Sequence, residues 1–229
     1  MRMTSIEVQR YVDSAVRFAA SRASAEPGRS LRVAATLVTC SVAVDVLNAI
    51  GVPGESPAAY EHINVHNPCS PLSYSQAGRW VCPEELKHHP VSGINWAGAR
   101  LLCEHLGGRL PLAQEWERFA SNNDPTRTYP WGDAPPTHLL ANFGEHFGGP
   151  SRVGSFPPSE LGLYDLAGNL SEWCHDSFSL ASGHKTSFEK VVKGGAWSKD
   201  AHYLQIAMSR GKWKRLGTTT IGFRPVWDD

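Results

Sequence analysis

One stretch of thirteen residues, 161–173, constrains the fold of this chain more than any other. Its sequence is Leu-Gly-Leu-Tyr-Asp-Leu-Ala-Gly-Asn-Leu-Ser-Glu-Trp, and two glycines and an asparagine interrupt it. It is too irregular for a helix and too polar for a buried strand. Four large apolar residues nevertheless predict packing: Leu163, Tyr164, Leu166 and Trp173. A loop of this kind is ordered only where its backbone polar groups find partners.

The two acidic residues of this stretch offer a place for a metal ion. Asp165 and Glu172 are seven positions apart, and Gly168 lies between them. Two carboxylates and several carbonyl oxygens form the hard-oxygen set that suits calcium. The spacing is not that of an EF-hand, and a surface loop with two solvated acids is the alternative interpretation.

Composition favours one loop-rich globular domain. The chain has 229 residues, 41% of them hydrophobic and only 19% charged, with 21 glycines and 16 prolines. This balance supports one core but argues against a helical bundle. Eight tryptophans are unusual for such a chain, and we interpret them first as core residues and second as platforms for ligands.

Charge and hydropathy argue against nucleic-acid and membrane partners and predict a cytoplasmic protein. The formal net charge is zero and the pI is about 7.1, so no basic face for nucleic acid is expected. Charged residues interrupt the N-terminal region, which argues against a signal peptide. The most apolar run, Val33–Val44, is shorter than the roughly 20 residues that a membrane helix needs.

The cysteines predict free thiols. The chain has five, at positions 40, 69, 82, 103 and 174, and no C-x-x-C motif. An odd number without that motif is typical of reduced cysteines in the cytosol. A Cys69–Cys82 pair is the alternative that the sequence leaves open.

Hydrophobic periodicity and capping residues predict four helices and an early strand. The helices are residues 4–25, Val42–Ile50 before Gly51, Asn95–Leu106, and Leu112–Ser121, and the strand is Leu31–Thr39. The first helix either packs on the domain or pairs with another chain in a homodimer.

Six blocks, taken in order, resemble the formylglycine-generating enzyme, or sulfatase-modifying factor, superfamily. They are residues 89–99, 108–117, 129–133, 161–173, 193–197 and 221–225, and the likeness extends over about residues 31–227. The resemblance implies an α+β, C-type-lectin-like fold that is loop-rich, with little regular secondary structure. We therefore predict an N-terminal helical extension over residues 1–30 and a formylglycine-generating-enzyme-like domain over residues 31–229.

The resemblance also implies a structural calcium ion at the central stretch. Its ligands would be the side chains of Asp165 and Glu172 and the carbonyl oxygens of Gly168 and Leu170. Asn142 matches a place where the family binds a second calcium, but Glu145 is the only acid in the short segment 144–152 that follows. Whether Asn142 takes part in a second site stays open.

The chemistry that defines the family is not expected here. Family members use two cysteines as copper-binding thiolates, and the matching positions in this chain are Lys199 and Leu204. Neither side chain binds Cu(I), which selects soft sulfur ligands. No cysteine follows Cys174.

The leading hypothesis is therefore a calcium-stabilised scaffold that binds a protein or a small molecule through its C-terminal surface, Trp197–Arg215. Aromatic and charged side chains mixed in one loop are typical of interfaces. The candidate ligand-binding residues are Trp197, Lys199, Asp200, His202, Tyr203, Lys212, Trp213 and Arg215. By resemblance, Arg210 and Arg224 belong to the framework and bond carbonyls and carboxylates of the core.

The alternative is a mononuclear non-heme iron or copper oxygenase that acts on a small molecule in a biosynthetic pathway. Two histidines and one carboxylate suffice for such an iron site. The candidates are His175, Asp176, His184 and His202. Scattered surface polar residues are the competing interpretation of this set.

Overall fold

The computed structural model describes residues 30–54, 63, 70–179 and 185–228. The helix predicted over residues 4–25 lies outside this range. The N-terminal extension and its pairing with a second chain therefore stay predictions.

The described residues form three α-helices, two single-turn 3₁₀-helices and eight short strands. The helices are α1 (Cys40–Ile50), α2 (Trp96–His105) and α3 (Ala113–Ala120), with 3₁₀ turns at Glu84–Leu86 and Ala201–Leu204. The strands are β1 (Leu31–Val33), β2 (Ser73–Tyr74), β3 (Trp80–Val81), β4 (Ser171–Ser179), β5 (Lys185–Lys193), β6 (Arg210–Trp213), β7 (Ile221–Gly222) and β8 (Val226–Asp228).

Local signals explain the ends of α1 and α2. The Thr39 hydroxyl accepts a hydrogen bond from the first turn of α1, and Gly51 ends that helix in a left-handed conformation at φ 68°. The Asn95 side chain accepts from Gly98 N at 2.9 Å and caps α2. Both predicted helices are confirmed. At each start a short polar side chain accepts a hydrogen bond from a free backbone N–H, and glycine tolerates the conformation of the terminal turn.

Helix α3 begins against a buried carboxylate. Glu115 accepts from Leu112 N at 2.8 Å, and its two oxygens bind both terminal nitrogens of Arg109 at 2.7 and 2.8 Å. Arg109 also reaches Asp228 at the end of β8. Glu115 is thus a structural residue that joins α3 to the C-terminal strand.

The predicted strand Leu31–Thr39 is much shorter than expected. Only Leu31–Val33 pairs with β8, in an antiparallel ladder. Farther on, Ala34 N donates to Pro225 O at 3.1 Å. Proline has no N–H to return that bond, so the regular ladder stops there although the two segments still run side by side.

The principal sheet holds the site. Its strand order is β6-β5-β4-β7, with β4 antiparallel to β5 and parallel to β7. The prediction that residues 161–173 contain no buried strand is wrong for their last three residues. Ser171 to Trp173 start β4 and are all buried, because a strand that packs on both faces shows no polar–apolar alternation.

The core is assembled from three clusters of buried side chains. The largest lies between α1, α2 and the sheet and contains Trp80 and Trp173, and a second surrounds Trp116 between α3 and the sheet. Trp227 is also buried, whereas Trp213 is 65% exposed. Four of the eight tryptophans are therefore buried core residues, as the sequence predicted, and the other four are partly or largely exposed.

Four described cysteines, at positions 40, 82, 103 and 174, are free thiols. Cys69 lies outside the described residues. None of the helices in the described part of the chain combines the length and the hydropathy that crossing a bilayer requires.

Candidate functional site

The central loop is held in place by backbone contacts with three other segments. Gly168 N donates to Gly194 O at 2.7 Å, Asn169 N to Asn142 O at 2.8 Å, and Tyr164 N to Ala35 O at 2.8 Å. These bonds supply the partners that an irregular segment needs when it is buried.

Gly168 is required where the loop passes Asn142. Its φ is +79°, and an ideal Cβ would lie 2.2 Å from the carbonyl oxygen of Asn142. Asp165 and Asn169 also adopt positive φ, at 56° and 58°. Aspartate and asparagine tolerate this conformation better than most residues, so the local sequence matches the backbone.

Glu172 is bound by two side chains in the interior. Its Oε1 accepts from Arg224 Nη2 at 2.8 Å, and its Oε2 accepts from Trp116 Nε1 at 2.8 Å. Arg224 Nε lies 3.1 Å from both oxygens. Arg224 is confirmed as a framework residue, and the Glu172 carboxylate already has a positive partner.

Asp165 has an oxygen without a partner. Its Oδ2 accepts from Gly154 N at 2.8 Å, but its Oδ1 is buried and accepts no hydrogen bond. Burial raises the pKa of Asp165 to about 6, against the opposing effects of the Gly154 hydrogen bond, the Arg224 charge and the nearby Asn169 side chain. A buried carboxylate with a free oxygen requires a proton or a cation.

A second unpartnered oxygen lies on the neighbouring segment. Asn142 is fully buried, and its Nδ2 donates to Gly149 O and Ser151 Oγ at 2.9 and 2.8 Å. Its Oδ1 accepts no hydrogen bond. The Asn142 backbone carbonyl is the one that Asn169 N binds, so the two unpartnered oxygens are on segments in direct contact.

The observed contacts fit some of the calcium ligands that the resemblance implies, but not all of them. Asp165 offers a free oxygen, and the loop that carries Gly168 and Leu170 is fixed by its neighbours. Glu172 does not fit as an independent ligand, because both of its oxygens already accept from Arg224 or Trp116. A calcium ion here would bind Asp165 and the loop carbonyls and would share Glu172 with Arg224.

The two positions that match the catalytic cysteines have separate environments. Leu204 is fully buried, in the cluster that contains Phe143 and Ala167. Lys199 is half-buried and lines a surface cleft. Cys174 is fully buried and donates a weak hydrogen bond to Glu172 O at 3.9 Å, and burial raises its pKa well above the usual value.

The cleft beside Lys199, which we call the Gly-Gly cleft, has a small enclosed volume of about 10 Å³. Its lining residues are Ser171, Val192, Gly194, Gly195, Lys199, Tyr203, Met208 and Arg210. Both glycines have positive φ, and an ideal Cβ on Gly195 would lie 2.8 Å from Tyr203 O. The glycines therefore allow the Tyr203 segment to approach the sheet.

The predicted ligand-binding residues divide into two groups. Lys199 and Tyr203 line the cleft. Lys212 lies close enough to Lys199 for the charge of Lys199 to lower the pKa of Lys212. The remainder do not line it: Trp197, Asp200, His202, Trp213 and Arg215. Trp197 is half-buried and donates its Nε1 to Thr219 O at 3.2 Å.

The sequence interpretation missed the role of Arg210. Its guanidinium lies 4.7 Å from the centre of the Tyr203 ring, where a cation–π contact is favourable, and no carboxylate binds it within the described residues. It lines the cleft instead of joining the framework. The alternation Arg210, Lys212, Lys214 was the available signal, because it predicts a strand with one cationic face.

The candidate oxygenase residues do not converge within the described part of the chain. His175 is exposed and packs edge-to-face on Trp96 at 5.9 Å. Asp176 accepts from Ala113 N at 2.6 Å, and His202 packs on Tyr203 at 5.6 Å. No three His, Cys, Asp or Glu side chains in the described ranges are arranged to hold a metal. His184 lies outside those ranges, so the iron or copper site stays a prediction.

The described residues form a loop-rich α+β fold of the C-type-lectin-like class. Residues 55–229 match the family described as Sulfatase-modifying factor enzyme 1-like domain. This protein therefore belongs to that family, and the resemblance to formylglycine-generating enzymes is confirmed.

Two curated relatives contain a segment similar to this chain. Serine/threonine-protein kinase pkn1 of Chlamydia pneumoniae is 32% identical over 161 residues, which cover 65% of this chain and 26% of the kinase. Inactive C-alpha-formylglycine-generating enzyme 2 of Bos taurus is 30% identical over 151 residues, which cover 59% and 49%. The chain thus spans half the length of these relatives or less.

One solved structure supports the fold. Treponema denticola variable protein 1 matches with a TM-score of 0.60 and 20% identity, over 86% of this chain and 84% of that protein. At this identity the likeness concerns the fold, and it confirms the C-type-lectin-like architecture.

Proposed function

We propose that this protein is a binding member of its family that does not generate formylglycine. Its Gly-Gly cleft and the surrounding Trp197–Arg215 surface bind a small molecule or a protein partner. The observation that carries the proposal is the state of the two cysteine-matching positions. One is an interior leucine, and the other is a lysine in the cleft wall.

The chemistry of these residues argues against copper-dependent oxidation. Cu(I) selects thiolate ligands, and neither Lys199 nor Leu204 supplies one. Cys174 is fully buried, and its thiol is held protonated by burial. Thiolates, not thiols, bind such metals.

The comparisons support a binding role. The bovine relative carries the word inactive in its name, and the solved structure with the same fold is a variable protein. Both are consistent with a fold that serves as a scaffold when its catalytic residues are absent.

We further propose that calcium stabilises the central loop. The unpartnered oxygen of buried Asp165 supports this assignment, with the carbonyls of Gly168 and Leu170 as the other ligands and Glu172 shared with Arg224. Binding of a cation to the folded state alone raises its stability.

Elemental analysis of the full chain, purified without added metal, tests both proposals. We expect calcium near one per chain and a lower melting temperature after chelation with EDTA. Iron or copper near one per chain would overturn the scaffold proposal and favour the oxygenase. A calcium-free protein that EDTA does not affect would remove the calcium site.

An activity assay completes the test. The protein is incubated with Cu(I), oxygen and a peptide that contains the cysteine of a sulfatase, and the peptide is analysed by mass spectrometry. We expect the cysteine to remain unchanged, with an active formylglycine-generating enzyme as the control. Conversion of the cysteine would refute the non-catalytic assignment.

A further inference from the structure

The Gly-Gly cleft is surrounded by positive charge. Arg210 and Lys212 alternate on β6, so their side chains project from the same face of the sheet. Lys199 projects toward them from the segment after Gly194 and Gly195, and it lines the cleft with Arg210. Lys199 and Arg210 thus line one small cleft, and Lys212 lies beside them on the same face of β6.

The environment of Lys212 shows how close these charges are. Desolvation lowers the pKa of the Lys212 ammonium, and the charges of Arg210 and Lys199 lower it further. Among the described residues, Glu189 is the acid that opposes this effect. It lies on the opposite face, because an ideal Cβ on Gly211 would be 3.1 Å from its Oε2.

Three buried or partly buried cations of the framework have carboxylate partners. Lys193 binds Glu117 at 2.6 Å, Arg224 binds Glu172 at 2.8 Å, and Arg109 binds both Glu115 and Asp228. By contrast, no ion pair within 4 Å involves Lys199, Arg210 or Lys212 in the part of the chain that the structure describes. The structural cations are neutralised, and those of the cleft are not.

We propose that the Gly-Gly cleft binds an anionic ligand, through a phosphate or carboxylate group held by Arg210, Lys212 and Lys199. This inference rests on the proposed binding function and specifies its ligand class. The planar guanidinium of Arg210 matches two oxygens of either group. The lysines add point charges, and the Tyr203 ring fixes the guanidinium by stacking.

The enclosed part of the cleft is small, about 10 Å³, which is room for about one water molecule. The exposed aromatic residue nearest on β6, Trp213, does not line it. The anionic group would therefore bind across the mouth of the cleft, and the rest of the ligand would remain at the surface.

Calorimetric titration of the calcium-loaded full chain at constant ionic strength tests the proposal. Phenyl phosphate and phenylacetate represent the two sources of the anion, and neutral phenylacetamide is the matched control. We expect one of the two anions to bind at a ratio of one to one and the amide not to bind. Equal binding of the amide, or no binding of either anion, would overturn the proposal.

Three charge-neutralising variants test the residues. Arg210→Gln and Lys212→Gln should each weaken the anion at least tenfold, which corresponds to about 1.4 kcal/mol. Lys214→Gln removes one charge from the residue that directly follows β6 and does not line the cleft. It should leave the affinity within about twofold, since a charge that does not contact the ligand contributes only a screened attraction. Equal losses from Lys212→Gln and Lys214→Gln would show general electrostatic attraction and refute the site.

A stability measurement separates a ligand-binding role from a structural one. Without ligand, Lys212→Gln relieves repulsion and desolvation, so the melting temperature should rise by about 1–2 °C. A fall in melting temperature would indicate a structural cation and contradict the proposal. Redox metal in the purified protein would remove the scaffold function but leave anion binding intact, so the two failures are distinguishable.

Discussion

Arg224 Nη2 lies 2.8 Å from Glu172 Oε1 although the two residues are 52 positions apart, and neither is exposed. The same guanidinium donates to Ala34 O at 2.7 Å and to Tyr164 O at 2.6 Å. One arginine therefore connects the segment that follows β1, the central loop, β4 and the C-terminal segment. A buried charge of this kind is tolerated because every donor has an acceptor.

Replacing Glu172 tests whether the pair or the metal explains this residue. Glu172→Gln leaves the Arg224 charge buried without a counter-charge, which costs about 3–5 kcal/mol. We expect the free energy of unfolding to fall by this amount in urea titrations with EDTA as well as with calcium.

The exposed pair of Lys87 and Glu84 on the 3₁₀ turn provides the control. Glu84→Gln should change stability by less than about 1 kcal/mol, because solvent screens exposed ion pairs. If Glu172→Gln is destabilising only when calcium is present, ligation and not the arginine pair determines its role.

Asp165 predicts an unusual dependence of stability on pH. Burial raises its pKa to about 6 from the usual 3.8, so its contribution is full below pH 3.8 and is lost as the pH rises through 6. Asp165→Asn mimics the neutral form. In EDTA, the variant should gain stability relative to wild type between pH 4 and 7, by up to about 3 kcal/mol.

With calcium, wild type should instead be more stable than Asp165→Asn, because calcium binds the charged carboxylate that the variant lacks. Asp124→Asn is a control of opposite sign, since hydrogen bonds from Thr126 lower the pKa of Asp124. Wild type should therefore gain stability relative to Asp124→Asn as the pH rises. Urea unfolding at each pH measures both differences. A constant difference between wild type and Asp165→Asn across this range would contradict the assigned environment.

Local patterns predicted the helices well and the long-range contacts poorly. Asn95 and Gly51 mark helix ends through bonds within a few residues, and such signals are readable in any sequence. The Glu172–Arg224 pair depends on a tertiary contact that no local pattern encodes. The sequence therefore predicted Glu172 as a metal ligand but did not predict its pair with Arg224.

The strand errors have the same physical origin. Leu31–Thr39 contains strand-forming residues, but the ladder stops opposite Pro225. Residues 171–173 look like a loop, but they pair with both β5 and β7. In both cases the neighbouring strand determines which residues form a strand. The cationic cleft was only half predicted, because Lys199 and Lys212 were identified from composition while Arg210 was assigned by resemblance.

Two glycines of the central loop should respond differently to alanine. Gly168→Ala forces a Cβ within 2.2 Å of Asn142 O at a φ of +79°, so the loop must move. Gly162 also has positive φ, but nothing lies within 4 Å of an added Cβ. We expect Gly162→Ala to cost about 1–2 kcal/mol, the penalty for a left-handed alanine.

Gly168→Ala should cost clearly more than that control and should also weaken calcium binding, because it displaces the loop that carries the carbonyl ligands. Thermal unfolding with calcium and with EDTA measures both effects. Equal losses from the two variants would show that the close approach to Asn142 does not determine the loop conformation.

The free thiols predict an order of chemical reactivity. Cys40, Cys103 and Cys174 are fully buried, and burial raises the pKa of each, whereas Cys82 is half-buried. Since the thiolate is the reactive form, iodoacetamide should modify Cys82 first among these four cysteines in the native protein. The other three should react only through local opening. Peptide mass spectrometry after timed alkylation gives the four rates, and the same reaction in urea should make them similar. Rapid native alkylation of Cys174 would reveal an accessible thiolate beside the central loop, and a thiol-based activity would then have to be considered again.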